Sequence, residues 1–247
     1  MQTKTYVFIT ILAIFAIYFI FAPFKDSNQL NIYQKYAFRT KIRKKMMNTV
    51  GTQKWKLYLE DLFKKVVPKL NENNIYPIAF NGTLLGVVRD NQFICGDDDI
   101  DLMLEFSSYN KTLEVIQKLA KENKNILFFT SKGYGVFFPS YITIIDKYTK
   151  TNIDIEFFSV LKGYIYTHVN PLYRYFLYNR NPIKKDSFMP FLKMQFLDAT
   201  IRIPNKAKKV LSKLYGKWQQ GFLACEDAKK CSGCELKTNA KFTKKKT

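Results

Sequence analysis

The chain carries a single histidine, His168, in 247 residues. A zinc hydrolase built on two or three histidine ligands is thereby excluded. Cysteine is also scarce, with four in the whole chain, which excludes a disulfide-dense miniature scaffold. Acidic residues are outnumbered two to one, 20 against 40 basic, for a formal net charge of +20. No internal repeat is visible. What is present is ordinary for a folded chain: 47% hydrophobic and 24% charged residues. That composition rules out a disordered or collagen-like protein. The length favours one folded domain, or at most two small ones.

The positive charge is unevenly placed. Residues 35–65 hold ten basic and two acidic residues, and residues 206–247 hold twelve and three. The middle, 66–205, is nearly neutral, with sixteen basic and fourteen acidic. Such patches suit phosphates of nucleic acid or anionic lipid headgroups. The N-terminus favours lipid. Tyr6 to Ala22 is apolar except for Thr10 and ends at Pro23. As a helix it would span roughly 25 Å, enough for a thin bilayer. It is longer than the apolar stretch of a cleaved signal peptide, and Phe21-Ala22-Pro23 is a poor cleavage site. We therefore expect an uncleaved, single-pass membrane anchor over 1–24 and a basic stalk over 25–50. A folded domain follows over 51–220, then a basic tail over 221–247. The positive-inside tendency places the domain in the cytoplasm; a type II arrangement in the ER or Golgi is the alternative.

Helical spacing of Trp55, Leu59, Leu62, Phe63, Val66 and Val67 predicts a helix from Thr52 to about Asn71. Ile75–Phe80 and Ile100–Phe106 read as strands, and Lys111–Lys121 as a helix. Ile126–Thr130, Gly135–Phe138, Tyr141–Ile145 and Ile153–Phe158 are β-branched or aromatic runs. A basic helix is expected over 205–217. The order predicts an α+β or mixed α/β domain.

The chemistry concentrates between Asn81 and Leu104. Asp97, Asp98, Asp99 and Asp101 are four carboxylates within five residues, a crowding that disfavours ionisation unless a cation is near. On a strand, Asp99, Asp101 and Met103 face one way and Ile100, Leu102 and Leu104 the other. One face is core. The other presents two carboxylates about 7 Å apart, a spacing that can share Mg²⁺ or Mn²⁺. A calcium hand starting at Asp97 fails, because Leu102 and Ser108 occupy its glycine and glutamate positions. Upstream, Gly82-Thr83 forms a turn entering a helix, which aims backbone N–H groups at an anion. Thr83 adds a hydroxyl, Gly86 permits close approach, and Arg89 can neutralise phosphate charge. Ile153-Asp154-Ile155-Glu156 alternates, so a neighbouring strand could bring Asp154 beside Asp99 and Asp101 as a third ligand. A wet acidic edge strand is the competing explanation.

These residues resemble a known family. Gly82 to Gly86, Arg89, Phe93-Ile94 and Asp97 to Asp101 are similar to the signature of the LicD/fukutin family. So are Ile153-Asp154-Ile155, Ile203-Pro204 and Leu214-Tyr215-Gly216-Lys217-Trp218. The resemblance spans roughly residues 55–218 and departs at Cys95-Gly96, where the family commonly has Pro-Trp. It implies a nucleotidyltransferase-like mixed sheet with flanking helices. It also implies transfer of a phospho-alcohol (phosphocholine, ribitol-phosphate or similar) from a CDP-linked donor to a glycan or glycoconjugate acceptor. Asp99, Asp101 and Asp154 would then hold one or two divalent ions. Gly82, Thr83, Gly86 and Arg89 would steady the donor's phosphates, and Asp97 or Asp98 would be the general base.

Two other functions compete. One is an Asp-x-Asp glycosyltransferase using a nucleotide sugar. The other is a non-catalytic basic module on a membrane surface or nucleic acid, which explains the charge but not the acids. Nucleic acid is disfavoured because the tail run interleaves few aromatics with its lysines. Cys225, Cys231 and Cys234 suit either a zinc site lacking its fourth ligand or a disulfide. His168 reads as a surface residue.

Overall fold

The computed structural model describes residues 53–94, 97–132, 140–166 and 183–219. Helix α1, Gln53–Glu72, buries Trp55, Leu59, Leu62, Phe63, Val66, Val67 and Leu70 along one stripe, the i, i+3, i+4 pattern of an amphipathic helix. It runs through Pro68. A proline inside a helix costs about 3 kcal/mol, which the apolar contacts of Val66, Val67 and Leu70 on either side offset. At its end Asn71 anchors the chain. Its Nδ2 donates to the carbonyls of Ile75 and Thr200, and its Oδ1 accepts from the Thr200 N–H at 2.8 Å.

The remaining elements follow in order. They are β1 Ile78–Ala79, α2 Asn81–Arg89, β2 Ile100–Glu105, α3 Tyr109–Glu122, β3 Ile126–Lys132, β4 Ser140–Asp146 and β5 Asn152–Leu161. Then come β6 Tyr164–Tyr166, β7 Ile183–Lys184, a one-turn helix α4 Lys185–Phe188, β8 Leu192–Phe196, β9 Ala199–Ile203 and α5 Ala207–Tyr215. Among the described residues the sheet runs β3-β4-β5-β2-β1-β9-β8, with β6 and β7 continuing from β5. It is mixed: β2 pairs with β5, and β1 with β9, in parallel. The other pairings are antiparallel. This is the expected mixed sheet with flanking helices.

The core forms where the strands alternate. Ile100, Leu102, Ile153, Ile155 and Phe157 are fully buried, so the acids between them are turned to the opposite face. Phe63, Phe93 and Phe196 meet edge to face at centroid distances of 5.2–5.7 Å. Phe93 thereby pins the loop that leads from α2 to the acidic run.

Differences from expectation are local. The strand expected over Ile75–Phe80 shrinks to Ile78–Ala79, because Asn81 takes a left-handed φ of 41° and turns the chain into α2. The expected helix at Lys111–Lys121 extends to Tyr109–Glu122, and that at 205–217 closes on Ala207–Tyr215. Strands β6 to β9 were not expected. The strand expected at Gly135–Phe138, the anchor, the stalk and the tail with Cys225, Cys231 and Cys234 lie outside the described residues. So do Cys95 and His168. Among the described residues no helix is long and apolar enough to cross a membrane.

Gly86 is where this packing is tightest. A Cβ there would stand 2.4 Å from the Gln92 carbonyl oxygen and 3.0 Å from the Ile94 nitrogen, both backbone atoms. Gly86→Ala should therefore destabilise the domain by about 1–3 kcal/mol, the usual cost of overpacking, and lower the urea midpoint without changing the slope of the transition. An unchanged midpoint would show that the 90–94 loop yields freely.

Candidate active site

The site is built on the polar face of two parallel strands. In the β2–β5 register Asp101 stands opposite Asp154, and Met103 opposite Glu156. On the far side of β5, Thr143 of β4 stands opposite Asp154. The Thr143 hydroxyl donates to Asp154 Oδ1 and holds that carboxylate in place. Thr143 is itself buried. The neighbouring strand that the sequence calls for is thus β5, and it brings Asp154 beside Asp101.

Just before β2 the carboxylates of Asp97, Asp98 and Asp99 converge, one oxygen of each lying within 4.8 Å of the others. Asp98 is exposed, and its two neighbours are half-buried. Among the described residues this is the tight acidic triad. Asp99, Asp101 and Asp154 are not themselves gathered so closely. Asn152 at the start of β5 reaches Asp99, with its Nδ2 3.5 Å from Oδ2. The two acid groups join through Asp101, which feels both Asp97 and Asp154.

Helix α2 fixes the acids from the other side. Gly82 lies against Asp97: a Cβ at position 82 would meet Asp97 Oδ2 at 2.4 Å. Thr83 is fully buried, and its hydroxyl accepts the backbone N–H of Asp101 at 2.9 Å. The Gly82-Thr83 turn therefore positions the acidic strand, a duty its sequence alone did not disclose. Arg89, at the far end of α2, pairs with Asp90, Nη2 to Oδ2 at 2.7 Å. Its Nη1 is buried with no hydrogen-bond partner among the described residues.

The electrostatics follow from crowding in a poorly solvated face. Burial first, then Asp99 and Asp98, push the Asp97 carboxyl up to about 7. Burial, then Asp97, Asp154, Glu156 and Asp98, push Asp101 up to about 8. Glu156 rises to about 7, by burial and by Asp154. Asp97 Oδ2 is buried with no hydrogen-bond partner among the described residues. An all-oxygen donor set, mutual repulsion and one orphaned carboxylate oxygen fit a hard divalent cation.

Sequence reasoning did not single out three residues here. Thr143 sits in a run of isoleucines and looked like strand filler. Asn152 precedes the alternating segment. Tyr215 ends α5, which packs on α2. Its phenol is pushed up to about 12 by burial and by Asp101, Asp97 and Asp99, which places it at the rim of the acids. Its place in a Tyr-Gly pair was the only signal available.

A pH dependence follows. Asp97, Asp101 and Glu156 bind protons more tightly folded than unfolded, so the metal-free protein loses stability as pH rises from about 4 through about 8. Asp146 acts in the opposite sense. Burial works against its ionisation, but the N–H groups of Thr149 and Tyr148 and the Lys65 charge outweigh it and hold the carboxyl low. Its contribution disappears only below the ordinary carboxyl range, outside this window. In EDTA the melting temperature should fall by several degrees between pH 5 and pH 8. Asp97→Asn should flatten that slope and be the more stable protein at pH 8. A flat profile for the unsubstituted chain would contradict the crowding described above.

Comparison with known proteins agrees with this architecture. No curated protein matches the chain. The family described as LicD/FKTN/FKRP, nucleotidyltransferase domain, matches residues 78–206. That span runs from β1 through the acidic run, β2 and β5 to the residue before α5. The chain belongs to the LicD/fukutin family, whose members are transferases that modify glycans with phospho-alcohols.

Proposed function

We propose that the domain transfers a phospho-alcohol from a CDP-linked donor to a glycan or glycoconjugate acceptor, with Mg²⁺ or Mn²⁺ as cofactor. The observation that carries this reading is the parallel register that sets Asp101 beside Asp154, next to the Asp97–Asp99 triad. An apolar sheet face would be far cheaper to fold, so such crowding argues for a bound cation and a diphosphate. Asp99, Asp101 and Asp154 would hold one or two ions, and Asp97 would complete the set through its orphaned Oδ2. When bound, the metal would supply positive charge for the donor's diphosphate oxygens.

The protein's own groups do the rest. Gly82 and Thr83 keep α2 tight against the acids, so the N-terminal N–H groups of that helix face the same region. Arg89 offers its unused Nη1 to a phosphate oxygen while Asp90 holds the guanidinium by its other edge. Asp98 is the exposed member of the triad and the one an acceptor hydroxyl can reach, so it takes the proton. The acceptor oxygen bonds to the distal phosphorus, the bond from that phosphorus to the bridging oxygen breaks, and CMP leaves. Catalysis then rests on positioning and charge stabilisation. Tyr215 closes the rim as a neutral donor. Residues 1–24 would hold the domain at a membrane, given the apolar run from Tyr6 to Ala22.

The binding test needs no acceptor. The full chain should melt at a higher temperature with CDP plus Mn²⁺ than with either alone, because a ligand that binds only the folded state stabilises it. Asp101→Asn and Asp154→Asn should abolish the shift. In a transfer assay each should lower turnover about 100-fold or more, the scale for losing one preorganised charge-stabilising group. A shift with UDP or GDP and none with CDP would favour the nucleotide-sugar glycosyltransferase. No shift with any nucleotide, in folded protein, would overturn the transferase reading.

A further inference from the structure

A second region of the molecule has the opposite electrostatic character. An open cavity of about 710 Å³ is lined by Lys162, Gly163, Tyr164, Lys184, Lys185 and Met189, among others. Its lysines are held on ordered backbone. Strand β5 turns at Lys162-Gly163 into β6, Tyr164 pairs with Lys184 across β6 and β7, and the Lys185 N–H donates to the Gly163 carbonyl at 2.8 Å. The one acid in the lining, Asp186, pairs with Lys206 at 3.9 Å. Lys213 of α5 stands close by: burial, then the Lys184 charge, holds its ammonium below the ordinary value. Beside the turn, Val160 and Leu161 are apolar and exposed, at 39% and 43%.

Three lysines line one cavity against a single acid, and Lys184 and Lys213 repel each other. An anion relieves that repulsion. Lysine ammonium groups act as point charges toward phosphate, and several together match a doubly charged group better than a single carboxylate. The cavity is also separate from the acidic centre. Lys162 follows Asp154 by eight residues, and at about 3.3 Å per residue that is roughly 25 Å along the strand.

We propose that this cavity binds a phosphate group, as a second anion site apart from the acidic centre. The group belongs either to a phospholipid headgroup or to a phosphate in solution. The apolar lip of Val160 and Leu161 suits the first, and the concave lysine lining suits both. This site does not depend on the transferase reading.

Lysine footprinting of the full chain tests it, with acylation rates read residue by residue by mass spectrometry. Inorganic phosphate is compared with chloride at matched ionic strength. In a second arm, phosphatidylcholine vesicles are compared with vesicles that also contain phosphatidylglycerol. The expected result is several-fold slower acylation at Lys162, Lys184 and Lys185, with Lys111 and Lys118 on α3 unchanged. Protection by inorganic phosphate identifies a soluble phosphate as sufficient, and protection by phosphatidylglycerol vesicles alone identifies the lipid headgroup. Lys184→Gln should reduce the protection of Lys162 in whichever arm shows it. No protection in either arm, or equal slowing at Lys111 and Lys118, would overturn the site.

Discussion

Two carboxylates face each other across adjacent parallel strands, and the domain is arranged around keeping them there. Asp101 and Asp154 share a register position on β2 and β5. Left to themselves, like charges in a poorly solvated place separate or take up protons. Here they cannot separate, because Ile100, Leu102, Ile153 and Ile155 on the reverse face are locked into the core. A slip of one residue would turn every acid inward and every isoleucine outward. The apolar side of the sheet thus holds the charged side together, and the strain of that bargain appears as the raised carboxyls of Asp97, Asp101 and Glu156.

The supporting parts serve the same constraint. Thr83 takes the Asp101 N–H, which fixes the start of β2 relative to α2. Thr143 steadies Asp154 from the next strand. Gly82 and Gly86 let α2 lie directly on Asp97 and on the 92–94 backbone, where no side chain fits. Phe93, wedged between Phe63 and Phe196, anchors that loop to α1 and β8. Each contact is ordinary in strength, and together they leave the acids few alternative positions.

Much of this was legible in the sequence. The alternation through Asp99 to Leu104 and through Ile153 to Phe158 gave the two-faced strands, because a period of two is a strong signal when isoleucine and leucine mark one face. The pairing of those strands was legible only as a possibility, since periodicity says nothing about which strand lies beside which. Thr83 was read as a phosphate donor because a hydroxyl beside a glycine turn looks the same whether it faces a ligand or a backbone N–H. The hairpin of β8 and β9 escaped notice although Leu192, Met194 and Phe196 alternate with Lys193 and Gln195, because the run is short, lacks β-branched residues and buries only Phe196. Tyr215 is far along the chain from the acids it touches electrostatically, and only tertiary packing of α5 on α2 reveals the connection.

The β2–β5 pairing also bears on the order in which the chain folds. Helix α3 and strands β3 and β4 lie between those two strands in sequence. A parallel pair requires a crossover, and the loop it closes must be ordered before the pairing gives anything back. The backbone hydrogen bonds of helices α1 and α3 join residues four apart and close without that delay. The acidic centre is therefore completed by a long-range pairing, and Asp101 and Asp154 meet only once β2 and β5 have joined.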